Sequence, residues 1–175
     1  MILFKSLTIK NFMSVGNITQ GISFNNDLTL VLGENLDLGA NGSRNGTGKT
    51  TIVNALSYAL YGNALTKIKL GNLINKTNEK GMVVSIEFSK NGIEYKIERG
   101  RKPNILKLFI GDQEIDDSAQ GDNRETQKTI EDIIGLSHEM FKHIIALNTH
   151  TEPFLNMKVA DQRDIIEELL GITIL

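Results

Sequence analysis

Asn45-Gly46-Thr47-Gly48-Lys49-Thr50-Thr51 decides how the rest of this chain is read. Gly46 and Gly48 carry no Cβ, so the backbone can curl until successive N–H groups point inward at phosphate oxygens. Lys49 is placed to reach the β- and γ-phosphates of a nucleotide, and the Thr50 hydroxyl to bind Mg2+. Asn45, Thr47 and Thr51 complete a phosphate-binding loop, and the helix that follows adds partial positive charge at its N-terminus.

The flanks agree with this reading. Upstream, Leu28-Thr29-Leu30-Val31-Leu32 is a short apolar run, expected as a buried strand feeding the loop. Downstream, Ile52, Ala55, Leu56, Ala59 and Leu60 recur at helical spacing, and Gly62 is expected to stop the helix. The strict phosphate-loop pattern wants a glycine six residues before the lysine, where Ser43 stands. Gly33, directly after the apolar run, is the natural first glycine. Residues Asn35 to Arg44 then form an insertion rich in Gly and Asn. A glycine-rich surface loop with a chance Gly-Lys-Thr is the competing reading, and the strand–loop–helix order weighs against it.

A length of 175 residues with 40% hydrophobic residues fits one domain with a real core. The 19 basic and 21 acidic residues leave a net charge of −2, which neither announces nor excludes a nucleic-acid partner. There are no cysteines, so disulfides and cysteine-ligated zinc are excluded. The N-terminus has no signal-peptide core and no apolar run approaches membrane-spanning length. A soluble, cytoplasmic chain without membrane contact is expected.

In chain order, Ile2 to Phe12 alternates as a strand, and Ile18 to Phe24 is a second strand before the loop. A polar, basic stretch from Asn63 to Asn78 holds a short apolar piece, Leu70 to Ile74. Met82–Phe88, Ile93–Ile97 and Ile105–Ile110 form an antiparallel meander, with Asn91-Gly92 as a type I′ turn and Gly111-Asp112 as the next turn. Thr126–Ile134 and Ser137–Leu147 read as helices, the second capped by Ser137. In the last helix, about Val159 to Leu170, Ile165, Ile166, Leu169 and Leu170 make one apolar stripe, either core packing or a coiled-coil root. His138, His143 and His150 lack the spacing of a helical metal pair and read as ordinary histidines. Arg99, Arg101 and Lys102, with Lys67 and Lys69, are either a solvated hairpin tip or a contact for DNA phosphates.

Four segments together resemble the N-terminal lobe of the SbcC-type, SMC-related ATPases of DNA double-strand-break repair, including the ATPase subunits of T4-like phage recombination endonucleases. They are Leu7-Thr8-Ile9-Lys10-Asn11-Phe12-Met13-Ser14, the loop with its helix through Gly62, Leu73-Ile74-Asn75 with the hairpin ending Ile97-Glu98-Arg99, and Phe154-Leu155 with Arg163 and Ile165 to Gly171. The resemblance implies ATP and Mg2+ as ligands, Lys49 as the catalytic lysine and Ser14 and Gly33 as further nucleotide contacts. It places Asn148 where the family has its Mg2+-contacting glutamine. It also implies a C-terminal lobe of the same protein, head–head dimerisation on ATP, a partner nuclease subunit and non-specific double-stranded DNA.

The sequence departs from the family at Met13, usually arginine, at Asn148, a shorter amide, and in the 35–44 insertion. It contains neither a run of four apolar residues followed by Asp-Glu nor a Leu-Ser-Gly-Gly signature loop. The expectation is therefore half of an ATPase head. It is an α/β P-loop NTPase lobe of ABC type over 1–158, with a mixed sheet and an antiparallel flap, and 159–175 begins a coiled-coil-leading helix. The alternatives are an SMC-type structural DNA clamp and a self-contained P-loop nucleotide or metabolite kinase.

Overall fold

A computed structural model of the chain describes residues 1–25, 27–34, 47–66, 68–115, 123–146 and 152–172. Six strands form one sheet: β1 (Ile2–Lys10), β2 (Gln20–Ser23), β3 (Met82–Lys90), β4 (Ile93–Arg101), β5 (Ile105–Ile110) and β6 (Gln113–Ile115). Their spatial order is β2-β1-β3-β4-β5-β6, and every pairing between them is antiparallel. Four α-helices accompany them among the described residues: α1 (Lys49–Tyr61), α2 (Asn123–Ile134), α3 (His138–Met140) and α4 (Val159–Leu170).

Register explains the core. Ile22, Leu7, Ile86, Ile97, Leu108 and Ile115 stand opposite one another in a single row across all six strands. The four central members have no exposure at all. Because side chains alternate faces, the residues two positions away share that face. Met82, Val84 and Phe88 on β3 and Ile9 on β1 extend the apolar layer, and α1 lies over β3 and β4 against it. α2 packs against β5 and α1.

The turns follow the sequence closely. Asn91 and Gly92 both have positive φ, 53° and 82°, as a type I′ hairpin turn requires. Gly62 ends α1 in the left-handed conformation, its N–H bonded to the Tyr58 carbonyl. Ser137 caps α3 by accepting from the Met140 N–H. α4 spans the residues its periodicity predicts and ends at Gly171.

Three expectations change. Leu28–Leu32 is not a strand and is exposed: Leu28 is fully solvent-accessible, and Leu30 and Leu32 are mostly so. An apolar run becomes a buried strand only beside a hydrogen-bonding neighbour, and no described strand lies beside it. The parallel component that a mixed sheet needs is accordingly absent from the described strands. The helix expected over Ser137–Leu147 is shorter than its periodicity suggests. After α3 the backbone widens into a π-helical turn, Phe141–Ile145, and Leu147 lies outside the described residues.

Candidate nucleotide site

The described part of the loop is built at the start of α1. Gly48 has φ of 82°, a left-handed position that strains any residue with a Cβ. Its position against Ser14 adds a second constraint, since a Cβ on Gly48 would lie 2.9 Å from the Ser14 Oγ. The first turn of α1 contains no acidic residue and no side-chain cap, so its N–H groups remain suited to an anion. Lys49 Nζ donates to Thr47 Oγ1 at 3.1 Å, holding the ammonium back over the loop. Thr50 is exposed at the helix start, and its carbonyl accepts from the buried Asn54 amide at 3.1 Å.

Gly33 comes to the same place. A Cβ there would lie 2.1 Å from Thr47 Oγ1 and 2.6 Å from Thr47 Cβ, so the chain before the insertion touches the chain after it. Ser14, Gly33, Thr47, Gly48, Lys49, Thr50 and Thr51 thus converge, while Asn45, Gly46, the rest of the insertion and Asn148 lie outside the described residues. Thr51 is buried and its hydroxyl is 3.0 Å from the Ser14 Oγ.

Ser14 is delivered by a network whose physical basis is invisible in the motif. Asn11 and Met13 both have positive φ, so the chain turns sharply around the buried Phe12. The Asn11 side chain donates to the Lys80 and Gly81 carbonyls and accepts from Asn78 Nδ2 at 2.8 Å. Asn75 receives the turn from the other side. Its N–H donates to the Asn11 carbonyl at 2.8 Å and its Nδ2 to the Met13 carbonyl at 3.0 Å. Phe12 and Ile74 form an isolated antiparallel bridge between the two segments. Leu73-Ile74-Asn75 is therefore the clamp on the Asn11–Ser14 turn. The sequence signal was the motif itself; its long-range partners were not readable.

Arg99 departs from the reading as a surface phosphate contact. In register it stands opposite Val84, in the row with Ile9, so it points to the apolar face beneath α1. Its Nε donates to the Ala59 carbonyl at 3.2 Å, another nitrogen donates to Gln127, and the guanidinium lies 5.9 Å from the Tyr58 ring centre. Desolvation pushes its pKa down to about 10, with Tyr58 and Glu131 pulling the other way. It remains charged at neutral pH and complements the C-terminal end of α1. The missed signal was parity: Arg99 lies two residues after Ile97 on one strand face.

Among the histidines, His138 Nε2 is 3.0 Å from Ser57 Oγ, and His143 Nε2 is 3.2 Å from a Glu139 carboxylate oxygen. The Ser57 hydroxyl donates to the Asn63 carbonyl at 2.8 Å, so His138 is the donor in the first contact. A cavity of about 630 Å3 lies near α3 and α4, where Glu139, Glu152, Asp161 and Asp164 stand with Lys142 and His143. Four carboxylates against Lys142 and His143 make this cavity a poor one for phosphates.

Residues 6–174 match the AAA domain family. The chain belongs to that family. It is 33% identical over 167 residues to exonuclease subunit 2 of Enterobacteria phage T4, covering 93% of this chain and 27% of the relative. It is 25% identical over 173 residues to the DNA double-strand break repair Rad50 ATPase of Methanococcus maripaludis, covering 97% of this chain and 16% of the relative. The fold is shared with a solved chain from a study of ATP-driven dimerization and DNA-stimulated activation of SMC ATPases. There the TM-score is 0.60 at 17% identity, over 95% of this chain and 99% of the other. The chain spans about a quarter or less of the curated relatives it matches. Sequence thus relates the chain to exonuclease and repair-ATPase subunits, and its fold is like that of the SMC ATPase chain.

Proposed function

We propose that this chain is the N-terminal lobe, 1–158, of an ATPase head in a DNA repair or recombination complex, with 159–175 opening a coiled coil. The observation that carries the proposal is the convergence of Ser14, Gly33 and Thr47–Thr51 at the N-terminus of α1. ATP binds there, with its phosphates on the first-turn N–H groups and on Lys49. Mg2+ would be held by Thr50, and by Asn148 as the family resemblance implies, and would neutralise charge on the phosphates. Phosphoryl transfer needs little from the protein beyond position and charge. Lys49 sets the β- and γ-phosphates, and Ser14, held by the Asn11–Asn75 clamp, closes the loop from the β1 side.

Two exposed apolar surfaces support the missing-half reading. Leu28, Leu30 and Leu32 are exposed just before the phosphate loop, as expected of a segment covered by a C-terminal lobe. Ile166, Leu169 and Leu170 face solvent on α4 while Ile165 packs inward, as expected of a coiled-coil root. Among the described strands every pairing is antiparallel, which disfavours the self-contained kinase, whose phosphate loop belongs in a parallel βαβ unit. Head–head dimerisation, a partner nuclease named by analogy with the exonuclease and repair relatives, and sequence-blind binding of double-stranded DNA complete the proposal.

ATP turnover by the purified 175-residue chain tests it. Half a head lacks an Asp-Glu catalytic pair and a signature loop, so turnover stays at background while ATP binds. Robust turnover by this chain alone would revive the kinase alternative.

A further inference from the structure

Three lysines from three different segments meet at one end of the sheet. Lys10 ends β1, Lys80 stands just before β3, and Lys102 follows β4. Register brings them together, because Lys10 pairs with Val83 and Met82 with Arg101, and the Gly81 N–H donates to the Lys102 carbonyl at 2.8 Å. They line a cavity of about 270 Å3 together with Asn11, Asn17 and Asn78. No carboxylate lines it, and among the described residues none of the three ammonium groups has an ion-pair or hydrogen-bond partner. Glu79 lines only the neighbouring depression, which shares Lys102 and adds Lys76.

Three like charges around one small cavity repel one another, and an anion there removes the repulsion. The Asn11 amide already donates to the Lys80 and Gly81 carbonyls and the Asn78 amide to Asn11 Oδ1, so the three ammonium groups supply the charge that an anion would meet. Pockets for small molecules run to roughly 300–1,000 Å3, so this one is sized for a phosphate group rather than a whole nucleotide.

The cavity shares a residue with the clamp on Ser14. Asn11 lines it and holds the Lys80 and Gly81 carbonyls at 2.9 and 3.2 Å. Through the Asn75 bridge the same turn positions Met13 and Ser14, which lies 3.0 Å from Thr51 in the phosphate loop. We infer that Lys10, Lys80 and Lys102 form a second phosphate-binding site, coupled through the Asn11–Asn75 turn to the nucleotide loop. A free phosphate ion and a phosphodiester of a nucleic acid present the same chemistry to it. The coupling half rests on the nucleotide reading of the α1 N-terminus; the phosphate half stands without it.

The test is amide NMR of the full 175-residue chain, titrated with inorganic phosphate and, separately, with a short duplex oligonucleotide, at constant ionic strength. The titrations are repeated on Lys80→Gln/Lys102→Gln, both exposed positions, and on Lys49→Ala. The inference expects saturable shifts at Asn11, Asn78 and Gly81, kept in Lys49→Ala and weakened at least tenfold in the double variant. A response to phosphate alone assigns the site to the free ion; a response to duplex assigns it to a nucleic-acid backbone. No saturable shift with either probe, or equal shifts in the double variant, overturns the site. Affinity for a non-hydrolysable ATP analogue is then measured with and without saturating duplex. At least a twofold change that vanishes in the double variant supports the coupling, and no change overturns it. Loss of analogue binding with the shifts intact would condemn the nucleotide reading and not this site.

Discussion

Gly33 lies directly against Thr47: a Cβ on the glycine would sit 2.1 Å from the threonine Oγ1. Fourteen positions apart in sequence, the two close the phosphate loop around the insertion. Thr47 is β-branched and also receives the Lys49 ammonium, so it has little freedom to move aside. Gly33→Ala should therefore weaken ATP binding about tenfold while leaving the thermal midpoint within a few degrees. Calorimetric titration beside a melting curve separates the two effects. Unchanged affinity would show that the contact has no part in the site.

The same contact predicts that the insertion is dispensable. Deleting residues 35–44 joins Glu34 to Asn45 across a gap the fold already closes, and loop-closure entropy changes only slowly with length. ATP affinity should stay within about tenfold, roughly 1.4 kcal/mol. A deletion that abolishes binding would make the insertion part of the site.

Asn75→Ala removes the donor to the Met13 carbonyl and the acceptor for the Thr77 and Asn78 N–H groups. These groups are largely buried, so unfolding free energy should fall by about 2 kcal/mol. ATP affinity should fall as well, because Ser14 loses its support. Loss of stability with affinity intact would confine Asn75 to the fold.

Arg99→Met should cost about 2 kcal/mol, because the α1 carbonyl at Ala59 and the Gln127 side chain lose a charged donor. Arg99→Lys should not rescue it, since an ammonium lacks the planar fork that reaches both partners. Duplex affinity should not change in either variant. A drop in duplex affinity without loss of stability would return Arg99 to the surface.

These cases show what the sequence made legible. The type I′ turn at Asn91-Gly92, the Ser137 cap and the bounds of α4 are local, set by residues within a few positions of one another. Leu28–Leu32 was misread because apolar character does not say whether a strand neighbour is present. Arg99 was misread because composition groups it with Arg101 and Lys102, whereas strand parity groups it with Ile97. The Asn11–Asn75 clamp joins residues more than sixty positions apart, which no local pattern encodes. Gly33 and Ser14 were named beside the loop from sequence, but their contacts with the Thr47 and Thr51 side chains were not.

His138 supplies a pH signature. Burial holds its pKa below the ordinary 6.5, a depression opposed by Glu139 and Glu131 and aided by Lys142. The unfolded chain therefore binds its proton first as pH falls, so stability is complete above about 6.5 and declines below it. The thermal midpoint should drop between pH 7.5 and 5.5, and His138→Gln should flatten that slope. An identical slope in the variant would assign the effect to other groups.

Calorimetric titration of ATP with Mg2+ into the wild-type chain and into Lys49→Ala tests the account at its centre. Lys49 is the lysine at the head of α1, and under the proposed function backbone N–H groups supply the other contacts to the phosphates. The wild type should bind saturably and Lys49→Ala should lose most of that affinity, with the fold unchanged by circular dichroism. Equal affinity in the two proteins would contradict the nucleotide assignment.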